Sequence, residues 1–269
     1  MYKFNRSTRR YVLLGAFFTL MGVSSFAQED NQPPEMITDR PDATESSSIV
    51  PRKTLQVETG GFYESFEDGD VTTKTYTYNT ALLRYGLFDN VELRLGWDYV
   101  EQKTEINGTQ VGRTLSGLSP LLAGAKIGIS EEKGALPQMA IIGHVMLPFT
   151  AGEDFKPETT GVNFRFAFAH TLSDKSSLSY NVGAEWGDDS PEAAYIYTLA
   201  YGYSVTDTFG LYAELYGDFP ENSPANHLWD AGLTYLVRHN VQLDATVGSS
   251  ITDGQDILLS AGVSFRIPN

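Results

Sequence analysis

The amino-acid sequence contains no cysteine, which excludes disulfide bonds, thiolate metal sites, cysteine nucleophiles and the lipidated N-terminal cysteine of a lipoprotein. Positive charge is scarce as well. The 269-residue chain has 19 Lys and Arg residues against 34 Asp and Glu residues, and its formal net charge is -15 at pH 7. Because binding through phosphate neutralisation requires a basic surface, this balance excludes nucleic acid as a partner.

Long apolar runs are missing after the first 27 residues, so the sequence predicts no membrane-spanning helix there. The mean hydropathy of -0.23 would ordinarily indicate a water-soluble protein. Transmembrane barrels give a similar average, however, because apolar residues that face lipid alternate with polar residues that face the lumen. What the chain does contain is 25 Gly, 15 Tyr, 15 Phe and 3 Trp, a composition that favours strands and turns over helices.

The first 27 residues have the pattern of a secretory signal peptide. Four basic residues precede an apolar run over residues 11–23, and small residues stand at Ser25 and Ala27. A membrane anchor is the less favoured alternative, since an apolar span needs about 20 residues to cross the hydrocarbon layer. The sequence therefore predicts export, with a mature chain that begins at Gln28.

Strict alternation of apolar and polar residues recurs along the chain. In residues 91–99, Val, Leu, Trp and Tyr share one face and charged residues or glycine the other, which is the pattern of a half-buried strand. Short turns rich in Asp and Asn join such segments, as at residues 87–93 and 172–178. We place the strands at 55–66, 73–86, 91–103, 119–130, 138–149, 161–172, 177–187, 194–205, 209–218, 227–238, 241–250 and 256–267. The sequence thus predicts an all-β fold, a transmembrane antiparallel up-and-down β-barrel of about 12 strands within residues 55–269.

Three blocks of sequence carry a family resemblance. They are residues 37–46 (ITDRPDATES), 55–60 (LQVETG) and 83–96 (LRYGLFDNVELRLG), and shorter matches occur at 117–120 and 201–204. In these blocks the chain resembles the phenol meta-pathway transporter family of bacterial outer-membrane β-barrel proteins. The resemblance implies an outer-membrane barrel of a Gram-negative bacterium with a transport role.

The end of the chain also has a recognisable pattern. Residues 260–267 resemble the C-terminal signal that the barrel-assembly machinery reads, although Ile267 stands where an aromatic residue is usual. The expected partners are therefore the lipid bilayer with its lipopolysaccharide and, during insertion, the barrel-assembly machinery. The expected location is the cell outer membrane. The sequence does not identify a small-molecule substrate.

Charged residues on the strand face opposite lipid are predicted to line the lumen. They are Glu58, Glu92, Arg94, Asp98, Arg165, Glu185, Glu214 and Asp244. In a barrel of this size such residues can either line a water path or pair with one another and fill the interior, and both alternatives stay open. Arg84 is compatible with either face of its strand.

Residues 28–54 precede the first strand, and they are too polar and too rich in proline to form a core of their own. The segment is either a disordered periplasmic leader or an ordered strip that enters the lumen. We favour the second alternative, because the segment combines apolar residues with acids. In that case Asp39, Arg40, Asp42 and Glu45 would meet the charges of the wall.

The function that these features favour is a transporter or channel for small solutes, with hydrophobic or aromatic compounds among the candidates. A non-conducting structural or binding barrel is the alternative. A lipid hydrolase of the outer membrane is a remote one, because it needs a histidine beside a serine. The four histidines, at 144, 170, 227 and 239, have no evident serine partner, and metal-ligand spacings are absent. We therefore expect no enzyme activity, no cofactor and no metal site.

Acidic residues outnumber basic ones in the proposed long loops, for example around residues 67–70 and 188–192. Clustered charge of one sign raises the local concentration of counter-ions, and salt screens it over about 8 Å at physiological ionic strength. If the lumen conducts, the sequence therefore predicts a preference for cations that fades as salt rises.

N-terminal sequencing of the protein isolated from the membrane fraction of its native cells tests the predicted export. The expected first residue is Gln28, because signal peptidase reads the small residues that precede it. An intact Met1, or recovery of the protein as a soluble periplasmic species, would contradict the prediction.

Overall fold

Period-two alternation gives thirteen β-strands in the computed structural model, which describes residues 36–187, 191–252 and 254–267. The strands are β1 (Leu55–Asp68), β2 (Val71–Phe88), β3 (Val91–Ile106), β4 (Thr109–Leu118), β5 (Leu121–Ser130), β6 (Gln138–Leu147), β7 (Gly161–Ser173), β8 (Ser176–Trp186), β9 (Ala193–Ser204), β10 (Phe209–Pro220), β11 (Asn226–Arg238), β12 (Val241–Ser250) and β13 (Gln255–Ile267). Among the described residues no helix is long and apolar enough to cross a membrane.

Two units make up the chain, Met1–Pro33 and Pro34–Asn269, and all described residues belong to the second. The predicted signal peptide, residues 1–27, lies outside the described residues. Residues 28–35, the first part of the segment that precedes β1, also lie outside the described residues.

The strands pair antiparallel into a single sheet that closes on itself, because β1 also pairs with β13 from Leu55 opposite Ile267. The long strand β3 pairs with β5 over residues 91–96 and with β4 over residues 99–106. β4 and β5 therefore occupy one position in the ring. The barrel has twelve positions and one extra strand, which confirms the predicted fold class.

One predicted loop is a strand, and the sequence interpretation was wrong there. Residues 104–118 were assigned to a loop, whereas β3 continues to Ile106 and β4 returns beside it. The turn between them contains Asn107 and Gly108, which have positive φ angles of 50° and 75°. An Asn-Gly pair with positive φ at both residues is the strongest short signal for a two-residue hairpin, and it was overlooked.

A loop with two short 3₁₀ turns, Pro148–Thr150 and Glu153–Phe155, lies beside β4. The backbone N–H of Gly152 donates to the Leu118 carbonyl at 2.9 Å. Arg113 donates to Asp154 at 2.6 Å, and this hydrogen bond lowers the pKa of Asp154 to about 2. The loop thereby supplies partners to a strand that has only one neighbour in the sheet.

The two faces of the wall have opposite polarity. Large apolar side chains point outward along the strands, as at Leu93, which is 44% exposed, and at Leu215 and Leu243. The largest side chains that are fully buried include charged ones, among them Arg84 and Lys126, both 0% exposed. A polar interior with an apolar exterior is the reverse of a soluble protein and is the arrangement of a barrel in a bilayer.

The outward face can be tested by Leu95→Arg, because Leu95 shares the outward face of β3 with Leu93 and lies further from the short turn. An arginine on the lipid face near the midplane costs roughly 2–4 kcal/mol, so we expect a large loss of folded barrel when the purified chain is refolded into lipid vesicles. The matched control is Ile106→Arg, because Ile106 is 43% exposed on the same strand but lies next to the hairpin turn. The folded fraction is measured by the mobility of unheated and boiled samples on gels. Equal losses in the two variants would show that Leu95 does not face lipid.

Candidate functional site

Residues 36–54, here called the plug segment, enter the barrel and fold back inside it. At one end of the segment Met36 and Ile37 lie near Ser177 and Ser204, close to the short turns. On the way out Ser47 binds Gln138 at 2.9 Å, at the start of β6. The segment is deepest at residues 41–45, which contact the middle of β8, β9 and β10. It therefore enters and leaves the lumen at the short-turn end.

Asp39 of the plug segment binds three cations of the wall. Its carboxylate lies 3.3 Å from Arg84 Nε, 2.6 Å from Arg94 Nη1 and 3.0 Å from Lys126 Nζ. These cations come from β2, β3 and β5, whose alternation turns all three inward. Asp39 and the three cations are all buried. Three cations around one carboxylate require further acids nearby.

Two wall carboxylates supply that charge and also hold the plug backbone. Glu58 accepts from Arg84 at 2.9 Å and from the backbone N–H groups of Asp39 and Arg40 at 2.9 and 3.0 Å. Glu92 accepts from Arg84 at 2.8 Å and from the N–H of Val50 at 3.0 Å. The wall therefore binds the plug segment by its main chain as well as by its side chains.

Arg40 points to another part of the wall, where β12 and β13 adjoin β1. Its Nη2 donates to Asp244 and to Ser260, each at 3.0 Å. The guanidinium lies against Gly60 and Gly262, which face each other on β1 and β13, and a Cβ at either position would come within 2.6 Å of it. A side chain at either glycine would displace the guanidinium from its place on the wall. Adjacent residues of the plug segment thus bind different parts of the wall, Asp39 at β2, β3 and β5 and Arg40 at β12 and β13.

The tip of the plug segment is held by hydrogen bonds. The N–H of Ala43 donates to Glu214 at 2.7 Å, and the Thr44 hydroxyl contacts the same carboxylate. Glu45 binds Arg94 at 2.7 Å through its side chain and Asn181 at 2.8 Å through its N–H. The tip is therefore fixed to strands on several sides of the lumen.

The remaining candidates from the sequence lie at different places in the lumen. Arg165 donates to the carbonyl of Ala43 at 3.2 Å. Asp98 is half-buried and lies beyond the tip of the plug segment, at cavities that Asp42 and Glu45 also line. Glu185 is half-buried on β8, where it stands opposite Asn163 of β7.

Several residues of the site were missed by sequence reasoning. They are Lys126, Gln56, Asn181, Thr198, Asp230, Ser260 and Arg266. Lys126 could have been predicted from the sequence: it is the single charged residue in the apolar strand β5, and its position in the alternation fits the lumen face. Arg84, which was ambiguous, faces the lumen.

Two cavities lie beyond the tip of the plug segment, and they share Thr80 and Asp98 in their linings. One has a volume of about 380 Å³ and apolar walls formed in part by Leu82, Leu122 and Met146. Arg94 and His144 add polar groups to this cavity. The other, of about 360 Å³, is acidic.

The histidines have partners other than serine. His144 accepts from Arg94 at 2.8 Å and contacts the Asn163 amide oxygen at 3.0 Å. His170 lies 3.4 Å from the Tyr180 hydroxyl, and His227 lies 2.8 Å from that of Tyr197. His239 is exposed in a short turn. These positions offer no support for the serine hydrolase alternative.

A family model described as "Putative MetA-pathway of phenol degradation" matches residues 38–267. No curated protein matches the chain. Many solved structures are similar in fold, including the three that follow. A COG4313 outer membrane channel from Pseudomonas putida F1 is 13% identical with a TM-score of 0.62, and the match covers 82% of this chain and 97% of that one. The KdgM porin is 10% identical with a TM-score of 0.51, over 78% of this chain and 98% of that one. The translocator domain of the autotransporter NalP from Neisseria meningitidis is 10% identical with a TM-score of 0.50, over 80% and 88%. At these identities the likeness concerns the fold alone.

Loss of the Asp39 charge should loosen the plug segment. The variant Asp39→Asn leaves Arg84, Arg94 and Lys126 without their shared anion, and breaking a buried ion pair costs about 3–5 kcal/mol. Because the chain has no cysteine, Ala43→Cys gives a single thiol whose maleimide labelling rate reports release of the tip. We expect faster labelling when Asp39→Asn is added. The control is Asp207→Asn in an exposed short turn, and identical rates in both backgrounds would contradict the role of Asp39.

Proposed function

Because the chain belongs to the phenol-degradation family, whose model spans residues 38–267, we propose that it is an outer-membrane channel for small solutes with a lumen closed by its own plug segment. The observation that carries the proposal is that the plug segment binds opposite walls of the barrel: Asp39 binds cations of β2, β3 and β5, and the N–H of Ala43 donates to Glu214 on β10. A strip fixed to both walls blocks a straight path through the lumen. Transport then requires these contacts to rearrange.

The proposed location in the outer membrane of a Gram-negative bacterium rests on three findings. The wall is apolar outside and polar inside. The sheet closes completely, as a sheet in lipid must do to satisfy its backbone. The similar solved structures include an outer membrane channel and a porin. Export by residues 1–27 is part of the same proposal.

For the transported solute we propose small hydrophobic or aromatic compounds. The apolar cavity beyond the plug tip has a volume of about 380 Å³, which lies within the usual range for small-molecule pockets. Leu82, Leu122 and Met146 can contact a ring, and Arg94 can donate a hydrogen bond to an oxygen on it. Since Arg94 also binds Asp39 and Glu45, a solute there would compete for the residue that holds the plug.

The route beyond this point leads past the plug segment to the short-turn end. Two open cavities of about 450 and 550 Å³ flank the segment there, and both are lined by Ser47 and Ser48. Solute would therefore need only the contacts around residues 39–45 to open, while residues 46–54 stay in place. The proposal thus assigns gating to the first half of the plug segment.

A non-conducting structural or binding barrel is the second candidate, and the number of buried contacts of the plug segment favours it. Buried ion pairs are expensive to break one partner at a time, so a plug held by several of them can be permanent. Conductance separates the two candidates.

Planar-bilayer recording of the refolded protein is the test. We expect rare or small openings in the unaltered protein and a several-fold larger mean conductance in the double variant Asp39→Asn, Arg40→Gln, because both wall contacts are then weakened. The open state should prefer cations at low salt, and this preference should fade as salt rises, because acids crowd the long loops. The control is again Asp207→Asn.

Each outcome is informative. Equal conductance in the double variant and the control would show that the plug segment does not gate the lumen. No conductance in either folded variant would favour the structural barrel. Anion preference would contradict the role of the loop acids.

A further inference from the structure

The second cavity beyond the plug tip is lined by four carboxyl groups. Its volume is about 360 Å³, and Asp42, Glu64, Asp98 and Asp230 line it. Among the described residues that line this cavity there is no Lys, Arg or His. From the geometry of these groups we infer that the cavity is a binding site for a small organic ammonium ion.

The partners of the carboxylates are not cations. Glu64 accepts from the Gln255 amide at 2.8 Å, and Asp98 has a hydrogen bond from Thr80. Asp230 shares a hydrogen bond with Glu214, which stands opposite it on β10. A hydrogen bond between two carboxyl groups requires a proton, and it uses one oxygen of each group.

Asp230 gives the observation that points directly to a ligand. Its side chain is only 2% exposed, and its Oδ1 has no hydrogen-bond partner among the described residues. A buried carboxylate oxygen without a partner is uncommon, because burial costs the group its hydration. Since Asp230 lines the cavity, a ligand with N–H groups there would satisfy this oxygen.

The cavity fits an organic cation better than a metal ion. Within residues 36–187, 191–252 and 254–267 no group of three or more Asp, Glu or His side chains is arranged to hold a metal. The carboxylates instead surround a space that Phe62 and Tyr216 also line. Aromatic rings attract organic cations, and the Arg40 guanidinium already lies 5.1 Å from the Phe62 ring centre. Arg40 is itself bound to Asp244 and does not line the cavity.

The inference is tested by isothermal titration of the full barrel in detergent with three probes of one shape: benzylammonium, benzyl alcohol and benzoate. We expect benzylammonium to bind about tenfold more tightly than benzyl alcohol, because it alone can pair with the carboxylates and the rings. Benzoate should bind most weakly. This readout is independent of conductance, so failure of the channel proposal would leave it intact.

Two variants remove carboxylates of the cavity, and a third is their control. Asp230→Asn and Glu64→Gln should each abolish the preference for benzylammonium over benzyl alcohol. Asp207→Asn removes the same charge from an exposed turn and should keep it. Gel mobility of unheated samples shows that each variant is folded, and Glu64→Gln serves as the test if Asp230→Asn is not.

Equal affinity for benzylammonium and benzyl alcohol would overturn the inference. So would a preference for benzylammonium that survives both cavity variants. Binding of Ca²⁺ that displaces benzylammonium would also overturn it and would indicate a metal site.

Discussion

Asp39 lies where the side chains of Arg84, Arg94 and Lys126 meet, and most of the interior is organised around this contact. Three cations from neighbouring strands cannot be buried together without anions, because an unpaired buried charge is far more costly than an unpaired polar group. Glu58 and Glu92 supply two of these anions from the wall. Asp39 supplies another from the plug segment, and this contact ties the segment to the barrel.

The lumen consequently has two sides of different character. Cations gather on β2, β3 and β5, whereas Glu214, Asp230 and Asp244 stand on β10, β11 and β12. The plug segment bridges them, with an acid toward the basic side and Arg40 toward the acidic side. Beyond its tip this asymmetry reappears as two cavities, one apolar with Arg94 in its lining and one acidic. A single barrel thus presents two chemically distinct surfaces on the long-loop side of the plug segment.

How much the sequence could predict depends on how local each signal is. Strands such as residues 91–99 were predictable, because alternation is a property of neighbouring residues, and the same alternation placed Glu92 and Arg94 on the inner face. Twelve wall positions followed from the repeated turns. The Asn107–Gly108 hairpin was equally local and was simply missed. Partners are a different matter: Arg40 and Asp244 are 204 residues apart, and only closure of the ring brings their strands together. The Oδ1 oxygen of Asp230 has no hydrogen-bond partner among the described residues. This depends on how several strands pack, so no pattern in the sequence could predict it.

Closure of the ring between β1 and β13 also determines when the contacts of the plug segment can form during folding. The plug segment precedes every strand in the chain, yet its wall partners lie on β1, β2, β3, β5, β6, β7, β8, β9, β10, β12 and β13. Loop closure over such separations is entropically costly and therefore late. The docking surface for Arg40 does not exist until the final two strands have been added beside β1. The part of the mature chain that is synthesised early is thus among the last to find its place, and a nascent barrel remains open inside until its C-terminus arrives.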